Sequence, residues 1–344
     1  MSKKIIIIGP HSKHTERWID YFKNKKQLST KFIYYPYFTN WKDYIIATIK
    51  SIFNFIKMSK KNTIINIHFI GNFCFIYSIF LNKNIILSAW GDDVLITPGL
   101  SKFRRFLFLY SIKKAKYITS DTENILRTLN VVYNVPKEKL KLFRFGTDTN
   151  KWVPVIRKKE NTVKVISLRK FYKEYDIPTL IECANIISKK KKDVEFFIYG
   201  DGPEKKNIIE LIKKYKLRNV HIKGSYSEED MRKILPTMDI YVSTSISDGG
   251  LSASTAEAMA CGVYPIVTNF GDNKFWVTPG ENGDLFKIGD YKRLSELIIN
   301  YNPNNKKYID YKIKSRKKII NYLNYEKEMH KFYKFIINLE VEHE

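Results

Sequence analysis

Short apolar runs alternate with longer stretches of helical periodicity along most of the chain. Apolar runs at 4–8, 31–35, 63–68, 85–89 and 117–120 predict strands. The first is followed by a loop over 9–14 and a helix from Thr15, and helical patterns lie at about 42–60, 72–81, 101–114 and 122–130. Pro154 and a charge run make 149–161 read as a linker, after which the alternation restarts. Strands are predicted at 163–167, 194–199, 220–223, 240–243 and 264–268, with helices between them, the first over 178–189. Nearly all-apolar strands separated by helices predict two successive α/β units, each with a parallel sheet covered on both faces. Ligands in such sheets bind beyond the carboxyl ends of the strands, so the expected site is a cleft between the units.

Composition narrows the class. The chain has 344 residues, 44 % of them hydrophobic and 15 % aromatic, enough for two cores. Cys74, Cys183 and Cys261 are widely spaced and odd in number, which excludes a disulfide framework and fits a reducing compartment. No signal-peptide pattern is expected at the N-terminus, and the apolar run at 69–81 is too short to span a bilayer. The expected location is cytoplasmic.

The formal charge is +25. Residues 1–150 hold 25 basic and 9 acidic residues, against 35 and 26 in 151–344, so the excess lies in the first half. Such a field attracts anionic lipid, phosphate-bearing substrates or nucleic acid. Within 41–60, Ile45, Ile49, Ile52 and Ile56 recur at helical spacing, flanked by Lys42, Lys50 and Lys57. With the basic cluster Arg104, Arg105, Lys113, Lys114 and Lys116, this raises peripheral docking on the inner face of the cytoplasmic membrane; an ordinary domain helix accounts for the isoleucines equally well.

Candidate chemistry collects at strand ends. In the second half, Ser167-Leu168-Arg169-Lys170, Gly200-Asp201-Gly202-Pro203, Gly224-Ser225-Tyr226, the stretch SISDGGLSASTAEAMACG and Asn269-Phe270-Gly271-Asp272 each follow a predicted strand. Gly249, Gly250, Leu251 and Ser252 precede a predicted helix, where backbone amides and the helix dipole favour a phosphate. Arg169 with Lys170 or Lys173 supplies cations. Glu257, one turn into the helix, suits ribose hydroxyls, although Ser254-x-x-Glu257 also reads as a capping box. In the first half, Gly9 and His14 flank one strand-to-helix loop, and His68 and Trp90 to Asp93 end two further strands. Asp92 and His68 are candidates to orient or deprotonate a hydroxyl, with a satisfied core histidine as the competing reading of His68. No Asp-x-Asp triplet and no His/Cys ligand cluster occurs, so no metal is expected.

The stretch DGGLSASTAEAMACGVYPIV resembles the acid–loop–Glu-Ala-Met-Ala-x-Gly-x-Pro-Val signature of the retaining group 1 glycosyltransferases, the family 4 type with the GT-B fold. Phe145-Gly146-Thr147-Asp148 with Trp152 and Pro154, Ser167-Leu168-Arg169, Gly200-Asp201-Gly202-Pro203 and Asn282-Gly283 with Leu285 and Phe286 resemble further motifs of that family in the same order. Gly224, Asp239 and Ser243 stand where its next strands end, and Trp90-Gly91-Asp92-Asp93 is similar to a Trp-Gly-Ser-Asp variant in some members.

The resemblance implies two Rossmann-like domains facing each other across a cleft: an acceptor-side domain over 1–153, a nucleotide-sugar domain over 154–325, and a terminal helix over 326–344 packing back on the first. It implies transfer of a sugar from a nucleoside diphosphate sugar, with retention and without a cofactor, to a saccharide or lipid-linked acceptor in cell-surface glycan synthesis. Arg169 and a lysine would stabilise the leaving diphosphate, Asp248 and the amides after it would hold the sugar and phosphate, and Glu257 would hold the ribose. Gly202 would belong to the donor site, and Gly224 and Tyr226 would meet the base. Asp248 and Glu257 stand one residue further apart than in the family, so Gly249 takes the strict first-acid position. Glu174 stands where the family has its lysine, with Lys173 one residue short. A phosphorylase or synthase on the same architecture, and a nonenzymatic nucleic-acid or nucleotide-sugar binding module, are the alternatives. The chain lacks a stacking motif of the RNA-recognition type, so nucleic acid is not an expected partner.

Overall fold

The structure, a computed structural model, describes residues 3–10, 13–23, 25–35, 49, 63–71, 74, 75, 78, 84–156, 161–190, 193–246 and 250–340. The helices expected at 42–60 and over most of 72–81 lie outside the described residues. The chain divides into two compact units, Met1–Phe145 with Glu326–Glu344, and Gly146–Tyr325.

Unit 1 is built on a parallel sheet of six strands: β1 (Lys3–Gly9), β2 (Leu28–Tyr34), β3 (Thr63–His68), β4 (Ile85–Ala89), β5 (Tyr117–Ser120) and β6 (Leu140–Leu142), in the order β2-β1-β3-β4-β5-β6. The isoleucines of β1 are wholly buried because helices cover both faces of an inner strand. The helix Tyr325–Asn338 belongs to this core. Phe332 packs edge-on against Trp18 and Phe143, with centroids 4.4 and 5.2 Å apart, and the Arg144 amide donates to Glu328 Oε2 at 3.1 Å.

Unit 2 carries β7 (Val163–Ser167), β8 (Val194–Tyr199), β9 (Val220–Gly224), β10 (Ile240–Ser243), β11 (Tyr264–Thr268) and β12 (Asp284–Phe286), all parallel, in the order β12-β11-β10-β7-β8-β9. Successive residues feed two cores. Val165, Ile198, Val242 and Ile266 face one, with the helices Ile177–Lys189 and Tyr291–Asn300. Ile166, Tyr241 and Val267 face the other, with Ala253–Ala260 and Lys306–Tyr322. This period of two on a sheet covered on both sides explains why the strands read as unbroken apolar runs.

Three features depart from the sequence reading. The edge strands β6 and β12 are three residues each, too short to show a period. Much of the expected linker is part of unit 2: Trp152 is buried in its core, and the Arg316 guanidinium donates to the carbonyls of Thr149 at 3.3 Å and Trp152 at 2.9 Å. The terminal helical segment is interrupted at Leu323 and Asn324. There the Thr147 amide donates to the Leu323 carbonyl at 2.6 Å and the Tyr325 amide to the Thr147 carbonyl at 3.0 Å, in place of helical bonds.

Candidate functional site

In unit 2, β7 and β10 are neighbours although two strands separate them in sequence, and the winding direction reverses between them. The crevice beyond the carboxyl ends of two such strands is the binding position of doubly wound sheets. The loops leaving them are fastened together. Thr244 Oγ1 donates to the Tyr175 carbonyl at 2.7 Å and the Ile246 amide to the Glu174 carbonyl at 2.9 Å.

Arg169 leaves β7 and is only 8 % exposed. Its guanidinium carbon lies 4.3 Å from the centroid of the Tyr175 ring. A planar cation over a ring face holds its orientation. Lys173 is exposed, in the 3-10 turn Lys173–Tyr175. The ring of Tyr175, rather than that lysine, is what packs on Arg169. Asp176 follows with φ 43° and starts the next helix. Tyr175 escaped sequence reasoning because a tyrosine between charged residues carries no motif of its own.

The glycine pair after β8 serves this loop. A Cβ on Gly200 would lie 2.2 Å from the Arg169 carbonyl oxygen, and one on Gly202 would lie 2.5 Å from that of Phe171. Both have φ near +150°. The Phe171 amide donates to the Asp201 carbonyl at 3.0 Å. Close backbone approach, which seats the Arg169 loop, therefore accounts for Gly202 without any ligand.

The helix Ala253–Ala260 is capped by Ser252, whose Oγ accepts from the Thr255 amide at 3.3 Å. The alternative capping box from Ser254 to Glu257 does not form. Ser254 pairs with the Tyr241 hydroxyl at 2.8 Å, and Glu257 sits half-buried in the second turn. Tyr226, after β9, joins the same place. Burial raises its hydroxyl pKa, Tyr241 and Glu257 add to the rise, and Arg169 opposes it, which puts those three side chains within electrostatic reach of Tyr226. The Tyr226 hydroxyl donates to the Leu168 carbonyl at 3.4 Å, and Tyr199 packs edge-on against its ring. Gly250, Leu251 and Ser252 are half-buried at the mouth of this helix. Gly224 ends β9 with φ 73° and open space where a Cβ would be. Asp248 and Gly249 lie outside the described residues. Arg169, Tyr226 and Glu257 are thus brought together, with Tyr175 and Tyr241 added.

Other motif residues have structural duties. Asn282 bridges the Trp276 carbonyl and the Thr278 amide, and Gly283 has no room for a Cβ against Pro265. Asp239 precedes β10 and accepts from the Lys164 amide at 2.9 Å. It belongs to the opposite rim of the sheet, not to a strand's carboxyl end.

Unit 1 has its own reversal, between β1 and β3. Gly9 ends β1, packed between Thr15 and His68. His14 lies in the first turn of the helix Lys13–Phe22. His68 is wholly buried, 2.9 Å from Asn66 Oδ1 and packed edge-on against Trp18. Burial takes it away from an acceptor-facing position, and its ring instead supports Trp90 at 5.5 Å. The two acids of the 90–93 motif differ. Asp92 is exposed, whereas Asp93 is buried and accepts from the amides of Ile70 at 2.9 Å, Trp90 at 3.1 Å and Gly91 at 2.8 Å. Arg17, which sequence reasoning missed, stacks on Phe145 at 4.5 Å, and Phe145 packs edge-on to Trp90.

A buried arginine with one fixed face, a helix N-terminus and a nearby carboxylate can receive a phosphorylated nucleoside. Residues 148–322 match the family described as glycosyl transferases group 1. The chain belongs to that family. It is similar to an uncharacterized glycosyltransferase of Methanocaldococcus jannaschii, 25 % identical over 72 % of this chain and 60 % of the relative. It is 31 % identical to the poly(ribitol-phosphate) alpha-N-acetylglucosaminyltransferase of Staphylococcus aureus, over 42 % of this chain and 29 % of that protein. The chain therefore spans less than two thirds of the length of these curated relatives. Anabaena Alr3699/HepE, solved in complex with UDP and glucose, superposes with a TM-score of 0.77 at 13 % identity, over 98 % of this chain and all of that one. The two sheets and their helices are those of the GT-B fold. Among the described residues, no group of three or more His, Cys, Asp and Glu is placed to hold a metal ion, and no helix is long and apolar enough to cross a membrane.

Proposed function

We propose that this glycosyltransferase moves a hexose from a UDP-sugar, with retention of configuration and without a metal, to a saccharide or lipid-linked acceptor during cell-surface glycan synthesis. One observation carries the reading: Arg169, Tyr226 and Glu257 converge beside the capped helix Ala253–Ala260 at the reversal of the unit 2 sheet. UDP is favoured because the Anabaena neighbour was solved with it, and a hexosamine is favoured by the name of the Staphylococcus relative.

The diphosphate lies at the amino end of this helix, on the amides of Gly250 to Ser252. Arg169 meets the negative charge that builds up as the bond to the anomeric carbon breaks. A preorganised cation acts more strongly on that developing charge than on the ground state. Glu257 accepts from the ribose hydroxyls, and the turn of Gly224 to Tyr226 borders the base. Asp248 contacts the sugar. In unit 1, Trp90, His14 and exposed Asp92 serve the acceptor, with Asp92 orienting its hydroxyl. Lack of an Asp-x-Asp triplet supports the metal-free reading.

Thermal shift with UDP, GDP, ADP and dTDP tests it, followed by turnover of UDP-sugars in EDTA. UDP raises the melting temperature most and turnover survives EDTA. No stabilisation by any of the four nucleotides would overturn the donor site, and activity restored only by Mg²⁺ or Mn²⁺ would overturn metal independence.

A further inference from the structure

The helix Lys102–Lys114 carries two apolar faces. Leu107, Phe108, Ser111 and Ile112 are buried in unit 1. On the other side Phe103 is 68 % exposed and Phe106 58 %. The patch continues into the turn before the helix, where Leu100 is 59 % exposed, Ile96 52 % and Leu95 41 %. Those residues are held in place: the turn Thr97–Gly99 packs on both flanking helices, Pro98 is buried, and Ser101 caps the longer helix through the Arg104 amide at 3.1 Å. A fixed backbone thus presents five large apolar side chains to solvent, more than scattered surface exposure accounts for.

Charge says what covers them. From 101 to 116 the sequence holds six lysines and arginines and no carboxylate. Lys102 and Lys113 fall on the same side of the helical wheel as Phe103 and Phe106. A second copy seated there about a two-fold axis would set one basic surface against another. Large apolar residues among cations suit an interface of anionic headgroups over acyl chains.

We propose that this surface, residues 95–114, docks unit 1 on an anionic lipid bilayer, so that the acceptor is a lipid-linked glycan presented at the membrane. The patch starts three residues after Asp92, in the segment that leaves the carboxyl end of β4 at Ala89. Leu95 and Ile96 would enter the interface while the 90–93 motif meets the headgroup side. The choice of a lipid-linked acceptor rests on the transferase reading above; the docking itself does not.

The test is co-sedimentation of the full chain with phosphatidylcholine vesicles, with and without an equal part of phosphatidylglycerol. The chain pellets with the anionic vesicles, less so in high salt. F103S/F106S lowers partitioning at least about tenfold, because two phenyl rings no longer leave water. K113E/K114E, on exposed positions, also lowers it. Circular dichroism and the UDP-dependent melting shift stay at wild type in both variants, which keeps loss of docking distinct from loss of fold or donor site. Absence of binding to anionic vesicles overturns the proposal, as does wild-type binding by F103S/F106S. A wild-type dimer that F103S/F106S dissolves would assign the surface to self-association instead.

Discussion

The Arg169 guanidinium carbon lies 4.3 Å from the centre of the Tyr175 ring, and the Tyr175 carbonyl accepts the Thr244 hydroxyl at 2.7 Å. One residue therefore orients the cation and ties the loop after β7 to the loop after β10. Replacing Tyr175 by Leu should lower kcat about tenfold, the scale of a partly desolvated cation–π contact, with little change in KM for the donor. Tyr175→Phe should restore it, and Lys173→Ala, at an exposed position, should stay within about twofold of wild type. Steady-state kinetics of the three variants decides; equal losses in the Leu and Phe variants would assign the role to the hydroxyl.

Ser252 rather than Ser254 caps the helix, so Glu257 does not close a capping box with Ser254. Glu257→Ala should weaken UDP affinity about tenfold or more, as loss of a charged hydrogen-bond acceptor does. Ser252→Ala should cost about 1 kcal/mol of stability. Calorimetric titration with UDP and chemical denaturation measure the two, and a Glu257→Ala variant with wild-type UDP affinity would contradict the ribose assignment.

Gly202 and Gly224 both have positive φ, but only Gly202 meets backbone. Gly202→Ala should destabilise unit 2 by about 2 kcal/mol or more and impair turnover, since the Arg169 loop must shift. Gly224→Ala meets open space and should cost about 1 kcal/mol, the strain of a left-handed alanine. Similar denaturation midpoints for both would show that the Phe171 contact yields easily.

Burial raises the Asp93 carboxyl above its ordinary value, against the opposing bonds from the Ile70, Gly91 and Trp90 amides. A folded value above the unfolded one favours the protonated form in the native state. Its contribution is complete below the ordinary carboxylate range and is lost as pH rises through the raised value. Asp93→Asn removes that titration. The stability of wild type relative to the variant should therefore fall as pH rises above the ordinary carboxylate range of about 4. Denaturation of both proteins across a pH series checks the sign, and a difference that grows with pH would contradict it.

Eight of the ten longer strands were legible in the sequence because an inner strand of a covered sheet must be apolar on both faces, which is local information; the edge strands β2 and β9 carry weaker apolar runs and are only partly buried. The loops that follow them were legible for the same reason, as was the placing of Arg169 in one such loop and of Glu257 in the helix that follows another. Strand order was not, since nothing local says that β7 pairs with β10. Without that order the sequence offers several equivalent strand ends; with it, one crevice holds Arg169, Tyr226 and Glu257 together. The same limit explains the reassigned residues. His68, Asp92 and Asp93 are equally polar on paper, and only packing makes His68 and Asp93 interior supports while Asp92 stays exposed. Lys173 looked like a partner for Arg169 by charge and spacing, yet the turn before Asp176 presents the Tyr175 ring to it. Local periodicity determined the elements, their order along the chain and the kind of chemistry at their ends. Which side chains meet was decided by contacts between residues far apart in sequence, whose energies depend on burial and geometry that no single segment contains.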